Sequence, residues 1–229
     1  AVYGGGNGYY HYANNHVYNL PYTEGAPAIT KLCGGLGVPE VTSTNVTINT
    51  TATGTDGLQG IAAVYGGGNA CNATTTNVTI TNGSVGTVYG GNDKAGAVTT
   101  ANVTVTNGTV GTLYGGSNGD YTYPLDVFSL PTIDTTNVTV NGGTTTTAYA
   151  GGNNATVSTS ANITVNADNG SASDLHVTTL FGGNNKATME ILPNINLTKG
   201  YVKNVYGGGN QGNMECFSKT LNDCVALTV

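Results

Sequence analysis

Side chains that most often carry chemistry are scarce in this sequence and are scattered along it. Among 229 residues there are 12 acidic residues, six lysines, no arginine and three histidines, His11, His16 and His176. A glycosidase needs two carboxylates in one cleft, yet a close acidic pair such as Asp120 and Asp126 lies within one short segment. No set of titratable groups converges on one place. The sequence therefore predicts that the protein is not an enzyme and binds no cofactor.

Four cysteines, Cys33, Cys71, Cys216 and Cys224, are the remaining reactive residues. No CxxC pair occurs, which argues against a zinc site. An even number of cysteines in a chain of extracellular character favours disulfides, and four cysteines allow three pairings. Cys216 and Cys224 flank a short insertion and could close a local loop. Cys33 and Cys71 could pair with each other or with a neighbouring subunit.

The most frequent motif is a glycine-rich word, first seen as VYGGGN at residues 2–7. Neither Gly-Lys-Ser/Thr nor a helical pattern follows it, so it is not a phosphate-binding loop. The tyrosine position of this word is filled in successive copies by Tyr3, Cys33, Tyr65, Tyr89, Tyr114, Tyr149, Phe181 and Tyr206. These positions are 24 to 35 residues apart, a spacing that is typical of repeat architectures.

A second motif, between the glycine-rich words, alternates apolar and polar residues. Its copies begin at Asn45, Asn77, Asn102, Asn137 and Asn162 and read Asn-Val-Thr-Ile, Asn-Val-Thr-Val or Asn-Ile-Thr-Val. A period of two with β-branched residues predicts a strand with one buried face. A weaker copy begins at Asn194. In four repeats, this one included, the second residue of the motif precedes the next tyrosine position by 11 residues, which predicts a strand, a tight turn and a second strand.

Because the same words return in register, we expect each strand to pair with its equivalent in the next repeat. The sequence thus predicts an all-β fold, a parallel β-solenoid of stacked β-arches with about eight coils of 24–35 residues. Residues 1–229 are predicted to form a single domain. Its loop insertions lie near residues 8–24, 50–60, 119–134, 167–175 and 211–223.

The residue before each tyrosine position is apolar, and we expect it to point inward together with strand residues such as Val78 and Val103. The neighbouring aromatic residue then points outward. The sequence predicts an exposed outward ladder formed by Tyr3, Tyr65, Tyr89, Tyr114, Tyr149, Phe181 and Tyr206. A second inward position three residues earlier breaks the period of two, which predicts a bend at residues such as Gly86 or Gly111.

The composition excludes several classes of partner. Charged residues are 8% of the chain and the formal net charge is -6, so the Lys/Arg footprint that nucleic acid requires is missing. No apolar run reaches 18 residues, which argues against a membrane span. The chain starts at Ala1 without methionine, and its cysteines favour an oxidising compartment. We therefore expect a secreted, cell-surface protein from which a signal peptide has been removed.

Asparagine occurs in many Asn-x-Ser/Thr sequons, so modification by glycans is one expectation. The competing expectation is an asparagine ladder, in which the amides of successive strands bond to one another. An amide in such a ladder is not available to a glycan. Asn72, Asn154 and Asn169 lie in predicted loops and are the better glycosylation candidates.

Both ends of the predicted solenoid look uncapped. The chain opens directly on Val2 and Tyr3 and stops within the strand that contains Val225 and Leu227. Unpaired strand edges readily pair with another chain. We therefore expect these residues to mediate self-assembly, so that the partner of the protein is another copy of itself.

The VYGGGN words, the Asn-Val-Thr-Val strands and the scarcity of charge resemble the β-solenoid repeat segments of large microbial cell-surface proteins. Among these, the chain is similar to the sheath proteins of methanogenic archaea, which are β-rich, amyloid-like and held by disulfides. With the uncapped ends, this resemblance predicts a structural, self-assembling extracellular protein that forms a filament, sheath or cell-wall layer by end-to-end stacking of β-arches. Two alternatives stay open: an adhesin stalk or binding module of a longer surface protein, and an ice-binding solenoid with outward rows of threonine.

Overall fold

The computed structural model describes residues 1–6, 10–11, 17–18, 41–51, 60–120, 130–168, 174–214 and 226–228. Within these ranges all regular structure is β-strand and there is no helix. The strands are β1 (Val2–Tyr3), β2 (Tyr10–His11), β3 (Val17–Tyr18), β4 (Val41–Asn49), β5 (Ile61–Tyr65), β6 (Ala73–Asn82), β7 (Ser84–Tyr89), β8 (Ala97–Val105), β9 (Thr109–Tyr114), β10 (Thr132–Val140), β11 (Thr144–Tyr149), β12 (Val157–Asn166), β13 (Leu175–Phe181), β14 (Pro193–Lys199), β15 (Tyr201–Tyr206) and β16 (Ala226–Thr228).

Fourteen of these strands form two parallel sheets of seven strands each, and successive strands of the chain alternate between them. The first sheet, here called the tyrosine sheet, has the order β1-β5-β7-β9-β11-β13-β15. The second, the asparagine sheet, has the order β4-β6-β8-β10-β12-β14-β16. β2 and β3 form a separate antiparallel pair. The predictions of an all-β fold and of parallel pairing between repeats are thus confirmed.

Equivalent residues face each other across each pair of strands. In the asparagine sheet Asn77 pairs with Asn102 and Val78 with Val103, and in the tyrosine sheet Tyr89 pairs with Tyr114. The pairing skips one residue in each strand, Gly86 in β7 and Gly111 in β9. A Cβ atom on Gly86 would lie 2.7 Å from the carbonyl oxygen of Ala62, so glycine permits the close approach at this predicted bend.

An aliphatic core fills the space between the two sheets. Each strand of the asparagine sheet contributes alternate residues, and the tyrosine sheet contributes the residue before its aromatic position. The buried set includes Val78, Ile80, Val103, Val105, Val138, Val140, Ile163, Val165, Val88 and Leu113, each at most 1% exposed. Val205, in the outermost strand β15, is partly buried against the same core. The predicted core is therefore confirmed.

Buried threonines connect the two sheets across this core. Thr44, Thr76 and Thr136 each precede a strand asparagine, and their hydroxyls donate to backbone carbonyl groups that follow the tyrosine strands. The Oγ1 atoms lie 2.6 Å from Gly66 O, 2.6 Å from Gly90 O and 2.7 Å from Ala150 O, respectively. Since a buried hydroxyl without a partner is costly, these bonds explain how the core tolerates a polar row.

No helix in the described part of the chain is long and apolar enough to cross a membrane.

Thr145 places a polar group without a hydrogen-bond partner in the core. It is 2% exposed, and its hydroxyl is the one buried side-chain polar atom in the described residues that has no hydrogen-bond partner. Its neighbours in the adjacent strands are Val110 and Val177. We therefore predict that Thr145→Val raises the free energy of unfolding by about 1 kcal/mol, because it removes an unpaired hydroxyl and keeps the shape of the side chain.

Denaturant unfolding of the variant and the parent protein measures this difference. Thr146→Val is the matched control, because Thr146 is the exposed neighbour in the same strand, and its effect should be within about 0.5 kcal/mol. A Thr145→Val protein that is less stable than the parent would show that the hydroxyl has a favourable role.

Candidate functional site

A continuous stack of aromatic rings runs along the outer face of the tyrosine sheet. It contains Tyr3, Tyr65, Tyr89, Tyr114, Tyr149, Phe181 and Tyr206, in that order. Successive ring centroids are 4.8–4.9 Å apart and the ring planes differ by 5–15°. The inner rings form a cluster of their own, separate from the aliphatic core. In-register pairing produces this stack, since each strand places its ring directly over the ring of its neighbour.

The inner rings are not exposed, and this part of the sequence prediction is wrong. Tyr65, Tyr89, Tyr114 and Tyr149 are only 4–8% exposed, because the two faces of each ring are covered by the rings on either side. Exposure rises at the ends of the stack, to 41% for Tyr3 at one end and 51% for the last ring, Tyr206. Alternation along a strand indicated the face of the sheet, but it did not indicate what covers that face.

The position beside β5 is also different from the one that the repeat spacing predicts. The spacing places the Leu32–Cys33 copy between Tyr3 and Tyr65, but Val2 pairs directly with Val64, and Tyr3 stacks on Tyr65. The aromatic stack therefore consists of the seven aromatic residues predicted for the ladder, and the Leu32–Cys33 copy lies outside the described residues.

Three of the disulfide candidates, Cys33, Cys216 and Cys224, lie outside the described residues. Cys71 is 3% exposed, and its Sγ atom lies 3.6 Å from the carbonyl oxygen of Asn72. The structure thus places the one described cysteine inside the fold and leaves the predicted pairing as a prediction.

Asparagine side chains form a first column, here called the strand column, along the outer face of the asparagine sheet. Its members are Asn45, Asn77, Asn102, Asn137, Asn162 and Asn194. Each Nδ2 donates to the Oδ1 of the preceding member, over 2.8–3.0 Å. Asn77 also donates to the backbone carbonyl of Thr44, which fixes the orientation of its amide. The asparagine ladder expected from the sequence is therefore present, and the Nδ2 atoms of its inner members are engaged.

A second column, the turn column, lies in the glycine-rich turns beside the tyrosine hydroxyls. Its members are Asp93, Asn118, Asn153, Asn185 and Asn210. Each asparagine Nδ2 donates to the preceding side chain, at 2.9, 2.9, 2.8 and 3.0 Å. Asp93 is 2% exposed, and an ionised carboxylate accepts hydrogen bonds but donates none. Asp93 therefore orients Asn118, and through it every later amide of the column.

The tyrosine hydroxyls reach forward to the turn column of later strands. Tyr3 donates to Asp93 Oδ2 over 3.1 Å, and Tyr149 donates to Asn185 Oδ1 over 3.2 Å. Asn185 in turn donates from Nδ2 to the hydroxyl of Tyr114 over 3.3 Å. In the order of the tyrosine sheet, these contacts span one or two strands. The stack and the column are thus bonded to each other and not only along themselves.

Burial changes the acidity of the inner hydroxyls. It is the largest cause of a raised pKa at Tyr65, Tyr114 and Tyr149, and it raises the pKa of Tyr89 to about 12. The negative charge of Asp93 adds to the rise in the pKa of Tyr65 and of Tyr89. The stack is therefore a neutral, hydrogen-bonded structure over the whole physiological range.

Two of the glycosylation candidates, Asn72 and Asn154, lie between strands and are partly buried. Asn154 Nδ2 donates to the carbonyl oxygen of Gly119 over 3.2 Å, and Asn72 Oδ1 accepts from the backbone N–H of Ala97 over 3.0 Å. Asn169 lies outside the described residues. Asn107, which belongs to another sequon, is exposed at the turn between β8 and β9. The sequence did not single it out because Asn-Gly indicated only a turn there.

The ends of the sheets hold the other residues predicted to be functional. Val2 is partly buried in β1, and Leu227 pairs with Ile195 through β16, whereas Val225 lies outside the described residues. We call the end with β1 and β4 the head and the end with β15 and β16 the tail. Among the described residues no three His, Cys, Asp or Glu side chains group in a way that could hold a metal ion.

Comparison with family models, curated proteins and solved structures gives no match for this chain. The family resemblance therefore rests on the repeated sequence motifs alone. The function has to be argued from the stack, the two columns and the ends of the sheets.

Alkaline pH should unfold the protein. Tyrosine in an unfolded chain titrates near pH 10, whereas the folded protein raises the pKa of Tyr89 to about 12 and that of Tyr65, Tyr114 and Tyr149 as well. Between these values the folded state binds more protons than the unfolded state. The stability that is fully present below about pH 10 is therefore lost as the pH rises through the folded-state pKa values.

Denaturant unfolding at stepwise pH, with tyrosinate absorbance recorded on the same samples, measures this loss. Tyr89→Phe is the matched variant, because it keeps the ring and removes one titrating hydroxyl, and its stability should fall less steeply. Titration of all the tyrosines with a midpoint near pH 10, in a protein that keeps its β-sheet circular dichroism, would contradict the prediction.

Proposed function

We propose that the protein is a structural, self-assembling protein of the cell exterior, a parallel β-solenoid that builds a filament, sheath or wall layer by stacking end to end. The observation that carries the proposal is the repetition of equivalent side chains up to the outermost strands of the tyrosine sheet, Tyr3 in β1 and Tyr206 in β15. Such repetition gives each end of that sheet the same pattern as the interior. An end of this kind is a template for another copy.

The contacts between the two sheets support a stack of β-arches. Gly66, directly after the tyrosine strand β5, is packed against Val78 of β6, and Gly90 has the same relation to Val103 of β8. A tyrosine strand, its glycine-rich turn and the next asparagine strand therefore form one layer of the stack. Seven such layers, from β1 with β4 to β15 with β16, account for all the strands of the two large sheets.

The side chains at the two ends of the tyrosine sheet support end-to-end contact. Tyr206 of β15 is 51% exposed, and Tyr3 of β1 is 41% exposed. Large exposed aromatic residues are enriched at protein interfaces. The sparse charge of the chain, 8% of residues, leaves little repulsion to oppose close contact between copies.

An ice-binding function is the second candidate, because the outward threonines of the asparagine sheet are aligned. Thr79 pairs with Thr104, and Thr139 pairs with Thr104 on its other side. The row two residues further on contains Asn166 in β12, so it is not uniform. Aligned threonine is also an ordinary choice for the surface of a strand, and it does not account for the aromatic ends.

Assembly can be measured with the purified protein by electron microscopy and light scattering. We expect unbranched polymers whose length rises with concentration. Leu227→Pro should shorten or abolish them, because proline removes a backbone N–H from the tail strand β16. Leu227→Ala is the matched control, since it keeps the N–H and should retain polymers. A parent protein that stays monomeric, or thermal hysteresis in the absence of polymers, would favour a binding stalk or an ice-binding role instead.

Disulfides should strengthen the same polymers if cysteines link neighbouring copies. We predict that polymers formed under oxidising conditions resist detergent on a non-reducing gel and dissociate when thiol is added. The variants Cys33→Ser, Cys216→Ser and Cys224→Ser should identify the cysteines involved. Monomer as the sole species on the non-reducing gel would exclude linkage between copies, and it would leave a local disulfide open.

A further inference from the structure

The glycine-rich turns are joined by two series of backbone hydrogen bonds that point toward the tail. The residues that follow in each turn donate in the opposite direction, as Asn210 does to the carbonyl of Asn184 over 3.2 Å. The residue after each tyrosine position donates its N–H to the carbonyl of the aromatic residue in the next layer toward the tail. Six such bonds join the seven layers, from Gly4 with Tyr65 at 3.0 Å to Gly182 with Tyr206 at 2.9 Å. A second series joins the following residues, from Gly5 with Gly67 at 2.9 Å to Gly183 with Gly208 at 3.0 Å.

These two series leave a defined pair of donors at the tail. The next N–H groups in the series are those of Gly207 and Gly208, and no residue that the structure describes accepts a hydrogen bond from them. The same direction of bonding places the carbonyl of Gly5 on the outer side of the head. At these two positions the tail thus offers donors where the head offers acceptors. At the next turn positions, where the bonds run toward the head, the tail offers carbonyl groups instead.

The side chains at the tail are oriented in the same sense. Asn210 donates from Nδ2 to Asn185, so its Oδ1 is left for the next member of the turn column. Tyr206 lies with one ring face against Phe181 and is 51% exposed. Its backbone neighbour Val205 is only partly buried against the aliphatic core. Each of these groups has, in the interior layers, a partner from the layer that follows.

The hydroxyl of Tyr206 has the clearest requirement for a partner beyond the chain's own layers. Inside the stack, tyrosine hydroxyls meet the turn column one or two layers ahead, as Tyr3 does with Asp93 and Tyr149 with Asn185. The layer of Tyr206 is the last of the seven in the tyrosine sheet. The side chains one and two layers ahead of it would come from the first two layers of a second copy. In the sequence the equivalent positions are Asn7, which lies outside the described residues, and Asn69.

We propose that the tail formed by Tyr206, Gly207, Gly208 and Asn210 binds residues 2–6 of a second copy in the register of the interior layers, and that the Tyr206 hydroxyl bonds to the turn column of that copy. The proposal rests on the proposed function and adds its polarity and its residues. Tyr206 stacks on Tyr3 of the second copy, and Gly208 donates to Gly5 of that copy. Copies join head to tail, because both sets of turn bonds, those directed toward the tail and those directed toward the head, continue in register only in that orientation.

The variant Tyr206→Phe isolates the hydroxyl. Phe181 shows that the stack continues through a ring without a hydroxyl, so the variant should fold with unchanged thermal stability of the monomer. We expect the critical concentration for polymerisation to rise about five-fold, the effect of one lost hydrogen bond at the junction. Tyr201→Phe is the matched control: Tyr201 is exposed in the same strand but is not part of the stack, and its critical concentration should be unchanged. Equal values for Tyr206→Phe and the parent protein would overturn the role of the hydroxyl.

A peptide with the sequence of residues 1–7 tests the docking site separately from polymerisation. It should bind the protein, with binding weakened by Tyr206→Asp, and it should shorten polymers by occupying the tail. A scrambled peptide and a peptide with Tyr3→Ala are the controls. If the parent protein forms no polymer but binds the peptide, the proposed function fails and the docking site stands. If polymers form and the peptide neither binds nor shortens them, the docking site is overturned and the proposed function stands.

Discussion

In-register parallel pairing is the constraint on which the rest of this structure depends. It places each residue directly over a residue of the same kind, so a side chain is tolerated where it can stack on itself. Valine and isoleucine do so in the core, tyrosine does so through its ring, and asparagine does so because its amide both donates and accepts. A column of lysines or aspartates would repel itself, which explains why charged residues are 8% of the chain. Asp93 fits within a column because its neighbours are the amide of Asn118 and the hydroxyl of Tyr3, and not another carboxylate.

Much of this arrangement could be predicted from the sequence, because the repeat itself states which residues meet. The alternation in residues 77–80 and 102–105 predicts both the strands and the buried valines, and the pairing of Val78 with Val103 follows from equal positions in the two words. The strand column could be predicted for the same reason. A repeat gives information about neighbours of the same kind, which in an ordinary fold would need long-range contacts that the sequence does not reveal.

The predictions fail where the structure depends on contacts between different sequence motifs. The alternation predicts exposed tyrosines, since it places Tyr89 away from the core, but the neighbouring rings leave only 8% of Tyr89 exposed. The turn column was not foreseen, because Asn118 and Asn153 lie in glycine-rich segments in which asparagine usually indicates a turn. The spacing assigned Leu32–Cys33 to the position beside β5, which Val2 and Tyr3 occupy. The sequence gives the order of the motifs along the chain, but it does not show which motif forms the edge strand of the sheet.

A fold made of near-identical repeats can form in the wrong register, with a strand paired one whole repeat too close to the head or to the tail. Most rungs would look the same after such a slip, so the aliphatic core and the aromatic stack would hardly penalise it. Asp93 differs from the asparagines at the equivalent positions. If it moved one layer toward the tail, it would replace an asparagine whose amide donates a hydrogen bond, and a carboxylate cannot donate one. The hydrogen bonds that Tyr3 and Asn118 donate to the carboxylate would then have to be made to a neutral amide oxygen, which is a weaker acceptor. A single acidic residue thus distinguishes its layer from all the others. It favours one alignment of a repetitive chain over several similar ones.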